Sequence, residues 1–370
     1  MTTTSIRHWT APLAAGWLGL GAVVALVGTL TGRGYPFGAN DAHGDASLLR
    51  LLPVRYGPPV FAVVLLGAAV VALATVGTTR SSRPLRALLL GYGWTAAVLL
   101  AVVVPDIRVL VILGYLPMLI GGLPFGWPPV DYAQLVDWTL GAKVAALVAG
   151  LLLAAAVLAW QRRTAGACPA CGRDGTDAGW TTPAAAARWG RWAAWTAAGI
   201  PLVYAATRFA WALGVPLGIS REFLTEMQES GLVWAGAGLA AFATVGAVLT
   251  LGLVQRWGEV FPRWLPGLAG RRVPPRLAVV PAGLVAVAVT AGCLGELTAP
   301  EFWRIMGGFS AAVAPMVLWP LWGPALGAAT LAYHLRRRGT CADCGRPGPG
   351  PVAPIVRAGP GPVAPVVPAR

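Results

Sequence analysis

The sequence predicts an all-α protein, a polytopic transmembrane helical bundle of about eight spans arranged as two parallel four-span repeats. Only 11% of its 370 residues are charged and 56% are hydrophobic, whereas soluble domains carry about 25% charged residues. Apolar runs of roughly 20 residues recur along the chain, and a hydrocarbon core about 30 Å thick requires that length. The third observation is that the chain repeats itself.

Eight apolar runs have few or no interior charges. The first follows Arg7 and His8, as a secretion signal would. It is longer than a signal core and lacks a small-residue cleavage site, so we predict a retained span. The predicted spans cover residues 10–30, 60–77, 86–104, 141–160, 191–212, 231–254, 277–295 and 309–334.

The arginines predict the orientation of these spans. With both termini in the cytoplasm, the inner segments carry 20 basic and four acidic residues, and the outer segments carry eight and ten. This split follows the positive-inside rule, so we expect a multi-pass protein of the cell (cytoplasmic) membrane. The net charge is +14, and the basic residues lie between apolar runs rather than on one amphipathic face. We therefore predict the lipid bilayer as the partner and no nucleic acid, and the sequence identifies no protein partner.

One further apolar segment, residues 107–122, follows Pro105 and Asp106 almost without a loop. A ninth span there would invert every later loop and place the arginine-rich ones outside. We predict instead a re-entrant or interfacial hairpin on the outer face, broken by Pro105 and Pro117, which protein must cover. Such a segment either only packs against the bundle or also lines a substrate site.

Two motifs define the repeat. A Gly-x-Pro-[Phe/Leu]-Gly motif covers residues 34–38 and 214–218, with a third copy at 122–126. Its glycines and proline predict a tight turn with positive φ angles. A Cys-x-x-Cys-Gly-Arg motif ends each half, at residues 168–173 and 341–346. Four spans per repeat give both halves the same orientation, related by an axis along the membrane normal.

The predicted domains follow from these motifs. Residues 1–173 form the first four-span repeat, 174–187 a cytoplasmic linker and 188–346 the second four-span repeat. Residues 347–370 repeat Pro-Gly-Pro-Val-Ala-Pro and predict a disordered tail outside the fold.

The stretch 253–264, Leu-Val-Gln-Arg-Trp-Gly-Glu-Val-Phe-Pro-Arg-Trp, is followed by Gly-Arg-Arg-Val-Pro at 270–274. It resembles a signature of uncharacterised multi-pass membrane proteins from high-GC Gram-positive bacteria, over most of the chain except the tail. The resemblance implies no activity and no site residues.

Few residues in the spans can carry chemistry. Lys143, Arg208 and Glu296 lie near apolar stretches, and we expect all three to reach the outer interface by snorkelling. The outer loop at 41–45 holds Asp41, His43 and Asp45, which predicts a solvated turn or, as the alternative, a divalent metal site. No catalytic motif is present, so an enzyme is not favoured.

The four paired cysteines give the sharpest prediction, because two Cys-x-x-Cys pairs at equivalent cytoplasmic positions have the form of zinc knuckles. We predict one structural zinc ion bound by Cys168, Cys171, Cys341 and Cys344 that joins the two halves. Separate metal sites, no metal, or a thiol–disulfide pair remain alternatives. Cys293 is expected to be an ordinary buried residue in the seventh span.

Three functions remain open from the sequence. The first is a non-enzymatic bundle that transports a small solute or acts as a channel. The second is a membrane scaffold or accessory protein acting through cytoplasmic loops such as 255–276. The third is a thiol–disulfide redox protein.

Overall fold

The computed structural model describes residues 3–77, 81–122, 137–175, 179–305 and 310–348. Within these ranges the protein is helical and has no β-strand, only an isolated bridge between Val260 and Arg272. In chain order, the helices are α1 (Thr3–Thr31), α2 (Gly57–Gly77), α3 (Arg83–Val98), α4 (Ile107–Gly122), α5 (Trp138–Thr164), α6 (Pro183–Ala212), α7 (Arg221–Glu229), α8 (Leu232–Gly252), α9 (Pro275–Thr298), α10 (Pro300–Ile305), α11 (Ala314–Val317) and α12 (Trp319–Arg337).

Among the described residues, six helices are long and apolar enough to cross a membrane: α1 from Trp9, α2, α3 with its continuation to Val103, α5, α8 and α9. They coincide with predicted spans one to four, six and seven, so the predicted all-α architecture is confirmed, with several helices that could cross a membrane. The predicted fifth span lies within α6, and the predicted eighth, 309–334, divides in the described residues into the short α11 and most of α12, so the long helices of these two spans are α6 and α12. These two helices are more polar, since α6 contains three arginines and α12 ends in His334, Arg336 and Arg337.

The segment after α3 differs from its prediction. A π-helical turn, Leu99–Val103, leads through Pro105 into α4. The backbone of α4 is a single helix through Pro117, so that proline does not break a hairpin. Its 16 residues rise about 24 Å, less than the hydrocarbon core of about 30 Å. One side packs on α9, where Ile112 and Leu113 contact a common apolar cluster.

The two halves share part of their internal packing. In the first half α1 lies along α2, and α5 contacts α1 and α3. In the second half α6 lies along α8, and α12 contacts α6 and α9. The halves meet where α9 packs against α4 and the π-helical turn; a Cβ on Gly292 would lie 2.9 Å from Ile107 Cδ1.

Glycine permits close helix contacts at matching places. A Cβ on Gly150 of α5 would lie 2.9 Å from the carbonyl oxygen of Ala97 and 2.7 Å from the nitrogen of Ala101, both on the third predicted span. A Cβ on Gly323 of α12 would lie 2.8 Å from the carbonyl oxygen of Ala286 and 2.9 Å from the nitrogen of Thr290, both on the seventh. Small residues let helix backbones approach in this way inside membranes.

The Gly-x-Pro turns have the predicted backbone. Gly34 and Gly38 have φ angles of 83° and 66°, and Gly214 and Gly218 have 82° and 76°. Other residues adopt these angles only with strain, which explains the glycine at both ends of each motif. The third copy extends beyond residue 122, outside the described residues, as does the predicted tail from residue 349.

Helix α5 defines the two ends of the bundle. It begins beside Asp137 and ends just before Cys168, and its 27 residues rise about 40 Å. We call the end that carries the paired cysteines the cysteine end and the other the opposite end. Helix α6 begins at Pro183, inside the segment predicted as a linker.

Candidate metal centre

Each cysteine pair sits in a tight turn just beyond a helix end. After α5, the Cys168 N–H donates to the Arg173 carbonyl at 3.0 Å and the Gly172 N–H donates to the Cys168 carbonyl at 2.8 Å. After α12, the Cys341 N–H donates to the Arg346 carbonyl at 3.0 Å and the Gly345 N–H donates to the Cys341 carbonyl at 2.9 Å. The two turns therefore have the same backbone hydrogen bonds.

Glycine is required at the same place in both turns. Gly172 has a φ of 74° and Gly345 has 69°, in the left-handed region. A Cβ on Gly172 would also lie 2.9 Å from the Arg162 Nε. The sequence Cys-x-x-Cys-Gly thus encodes a turn that aims two thiols to one side.

The four thiols meet although 173 residues separate the pairs. Cys168 Sγ lies 3.9 Å from Cys341 Sγ, and Cys171 Sγ lies 3.7 Å from Cys344 Sγ. All four sulfur atoms lie within 4.8 Å of one another. Four sulfurs placed tetrahedrally about 2.3 Å from a zinc ion would be about 3.8 Å apart. The predicted meeting of the two pairs is confirmed, and the geometry is one that can bind a metal ion.

Two arginines link the turns reciprocally. Arg173 Nη1 donates to the Arg346 carbonyl at 2.8 Å, and Arg346 Nη1 donates to the Arg173 carbonyl. Two further arginines bind the first turn. Arg162 donates to the Ala170 carbonyl at 3.3 Å, and Arg338 donates to the Cys171 carbonyl at 3.2 Å. Four guanidinium groups therefore hold the backbone of the two turns beside the thiols.

The thiols differ in acidity. Burial raises the pKa of Cys171 to about 11, and its hydrogen bonds with the other three thiols act in the same direction. Burial also acts on Cys341, but backbone N–H groups of Cys344 and Asp343 donate to its sulfur and the pKa falls to about 7. Metal binding to such a set would release protons, because zinc binds thiolates. A cavity of about 200 Å³ lies beside Cys171 and Cys341, and Arg173, Arg276 and Arg338 also line it.

A second group of polar residues, which was not predicted from the sequence, lies at the opposite end. Lys143 is fully buried, and its Nζ donates to Asp41 Oδ2 at 2.7 Å and to Asp106 Oδ2. Arg108 pairs with Asp41 at 2.7 Å, Asp106 at 3.1 Å and Asp137 at 3.4 Å. We call these five residues the charge cluster. They come from three separate segments of the first half, at residues 41, 106–108 and 137–143.

The expectation that Lys143 snorkels to the interface is therefore wrong: its amine turns inward because two buried carboxylates solvate it. Arg208 instead lies over aromatic rings, 4.0 Å from the centroid of Trp211 and 4.5 Å from that of Tyr204. Glu296 is partly buried in α9. Cys293 is buried in α9, as expected.

In the outer-loop metal alternative, Asp137 takes the place of the predicted ligand Asp45, and cationic side chains already pair with the carboxylates. Ligand atoms of Asp41, His43 and Asp137 lie within 4.8 Å of one another. However, Arg108 already pairs with both carboxylates and Lys143 with Asp41. A divalent ion would meet two fixed cations there, so we assign Asp41 to the charge cluster.

No family model, no curated protein and no solved structure matches this chain. Functional arguments therefore rest on the two polar sites themselves.

Proposed function

We propose that the protein is a non-enzymatic integral membrane protein built from two parallel four-span repeats. One structural zinc ion, bound by Cys168, Cys171, Cys341 and Cys344, clasps the repeats together below the cytoplasmic face. The observation that carries this proposal is the meeting of the four sulfur atoms at tetrahedral spacing. Cytoplasmic thiols are kept reduced, which favours metal over disulfides.

Matching contacts in the two halves support the repeat. Residues 150, 160 and 168 in the first half correspond to 323, 333 and 341 in the second, at a constant separation. Gly150 and Gly323 make the same close contact, and Trp160 and Tyr333 are both fully buried. If the halves are equivalent, α6 and α12 are membrane spans as α1 and α5 are. This assignment gives eight spans in total.

The zinc itself is tested by X-ray absorption on the purified protein. We expect four sulfur ligands at about 2.3 Å. Nitrogen or oxygen ligands in the first coordination sphere would contradict a site made by the four cysteines.

The proposed topology places both termini and the loops 161–190 and 255–276 in the cytoplasm, as the arginine distribution requires. Reporter fusions after Arg173 and after Arg338 test it. Both reporters should give a cytoplasmic signal. If the two disagree, the halves are not parallel.

Within this architecture we favour a small-solute transporter or channel-like bundle. Support comes from Lys143 of the charge cluster, because an ionisable side chain buried in a membrane span commonly marks a solute or ion pathway. Purified protein in proteoliposomes on a solid-supported membrane tests this, with gradients of Na⁺, K⁺ and H⁺. The wild type should carry a current, and Lys143→Met should abolish it. Arg304→Gln removes an exposed ion pair and should leave the current unchanged. Equal currents in all three would contradict a role in transport.

A scaffold remains the second candidate because loop 255–276 is well ordered. The Phe261 N–H donates to the Arg271 carbonyl at 2.9 Å, and the Val273 N–H donates to the Glu259 carbonyl at 3.0 Å. Glu259 in turn pairs with Arg336 of α12 at 2.9 Å. Trp264 stays largely exposed in this loop, which suits contact with lipid or another protein.

A further inference from the structure

An apolar cavity of about 260 Å³ lies between α1, α2 and α5, apart from both polar sites. Alanines 142, 145, 146 and 149 form its α5 wall, where small side chains leave the space open. Trp17 of α1 lies at one end, and its Nε1 donates to the Ala145 carbonyl at 3.1 Å. Gly34, Tyr35 and Pro36, in the turn after α1, lie at the other end.

The cavity opens towards the lipid. Several of its lining side chains are exposed on helices long and apolar enough to cross a membrane, among them Trp17, Leu20 and Trp138. In a membrane these side chains face hydrocarbon, so water is not the natural occupant. A lipid chain is the apolar group available there.

The length of the cavity matches one leaflet. From Trp17 to Gly28 the α1 wall rises about 16 Å, and half of a hydrocarbon core about 30 Å thick is about 15 Å. A helix of another protein is about 10 Å wide, and a space of about 260 Å³ spread over that length is too narrow for it. A single acyl chain fits both the length and the width of the cavity.

The end of the cavity at Gly34 also carries a positive charge. Arg33 is exposed, and its backbone carbonyl approaches Gly28 of the cavity wall. Among the described residues, Arg33 has no ion pair within 4 Å. A guanidinium at the level of the headgroups binds phosphate with paired hydrogen bonds.

We propose that this cavity binds one phospholipid of the leaflet at the opposite end, with an acyl chain between α1 and α5 and its phosphate on Arg33. The proposal requires only that the helices cross the membrane, and not the zinc ion or transport. Its failure would therefore leave the proposed function standing.

The test uses a phosphatidylglycerol whose acyl chain carries a mid-chain diazirine, with the full-length protein in nanodiscs. After photolysis, mass spectrometry should find most of the label in the peptides that contain residues 17–28 and 142–149. Ala142→Leu/Ala146→Leu fills the cavity and should lower this labelling at least fivefold. The control, Val144→Leu/Val148→Leu, enlarges exposed residues of the same helix outside the cavity and should not change it.

The headgroup is tested separately. Arg33→Gln should lower labelling by the phospholipid probe but not by a diacylglycerol with the same diazirine chain, which lacks phosphate. Label spread evenly over the lipid-facing helices of the wild type would overturn the acyl-chain site, even if the filled variant failed to fold. Equal labelling of the wild type and Arg33→Gln by the phospholipid would overturn the phosphate contact.

Discussion

Lys143 illustrates how a single residue ties distant segments of the first half together. Its amine reaches Asp41 in the loop after α1 and Asp106 before α4, which lie 102 and 37 residues away. Removal of one partner of such a buried ion pair leaves uncompensated charges inside the protein.

We predict that Lys143→Met lowers the free energy of unfolding by about 3–5 kcal/mol, because the carboxylates of Asp41 and Asp106 lose their shared partner. The control is Val144→Met, at the next residue, which is exposed on the surface of α5. It should change the stability little. Unfolding in detergent measures both, and equal stability of the two variants would contradict a structural role for the cluster.

The pairing of Asp41 with Lys143 and Arg108 should make the stability of the protein decrease at low pH. Burial raises its pKa, but the hydrogen bond and charge of Lys143, the His43 N–H and Arg108 together hold the pKa below its usual value. A carboxylate with a lowered folded-state pKa stabilises the protein above the unfolded-state pKa of about 3.9. That contribution is lost as the pH falls through the lower, folded-state pKa.

We therefore expect Asp41→Asn to unfold at a lower temperature than the wild type at pH 6, and the difference to narrow as the pH falls below about 4. Asp45→Asn changes an exposed carboxylate of the same loop and serves as the control. A difference between Asp41→Asn and wild type that stays constant over this pH range would contradict the assignment.

At the scale of the elements, apolar length and glycine motifs predicted most of the helices and both described turns. Continuous apolar runs suffice for this, because a membrane allows few other structures. The path of α4 could not be predicted from Pro105 and Pro117, since a proline in a membrane helix is tolerated where neighbours satisfy the freed carbonyl. The paired cysteines were found because a local motif identifies them. The charge cluster was not, because its partners share no motif and lie far apart in sequence.

The matching glycine contacts make a prediction about the two halves. Gly150→Ala and Gly323→Ala should each destabilise the protein by about 1–3 kcal/mol, because the added Cβ meets backbone that cannot easily move. Gly141→Ala on α5 and Gly327→Ala on α12 are the controls, since a Cβ there has open space or ordinary contact. Thermal unfolding in detergent compares the four. If only one of Gly150→Ala and Gly323→Ala lowered the unfolding temperature, the packing of the two glycines would not be equivalent.

At the scale of the whole molecule, α5 connects the two polar sites. The charge cluster lies where this helix begins, and the candidate metal centre lies just after it ends. The first site joins segments within one half, whereas the second joins the two halves. A zinc ion there would link the halves at the cysteine end, in addition to the packing of α9 on α4 towards the opposite end.

The zinc content of purified wild-type protein and of two paired variants tests the central claim most directly. The variants are Cys168→Ser/Cys171→Ser and Cys341→Ser/Cys344→Ser, with Cys293→Ser as a control at a buried cysteine far from the site. A shared ion predicts one zinc per chain in the wild type and the control, and almost none in either paired variant, because two sulfurs alone cannot complete a tetrahedral site. Two zinc ions per chain in the wild type, or one zinc retained by either paired variant, would contradict it.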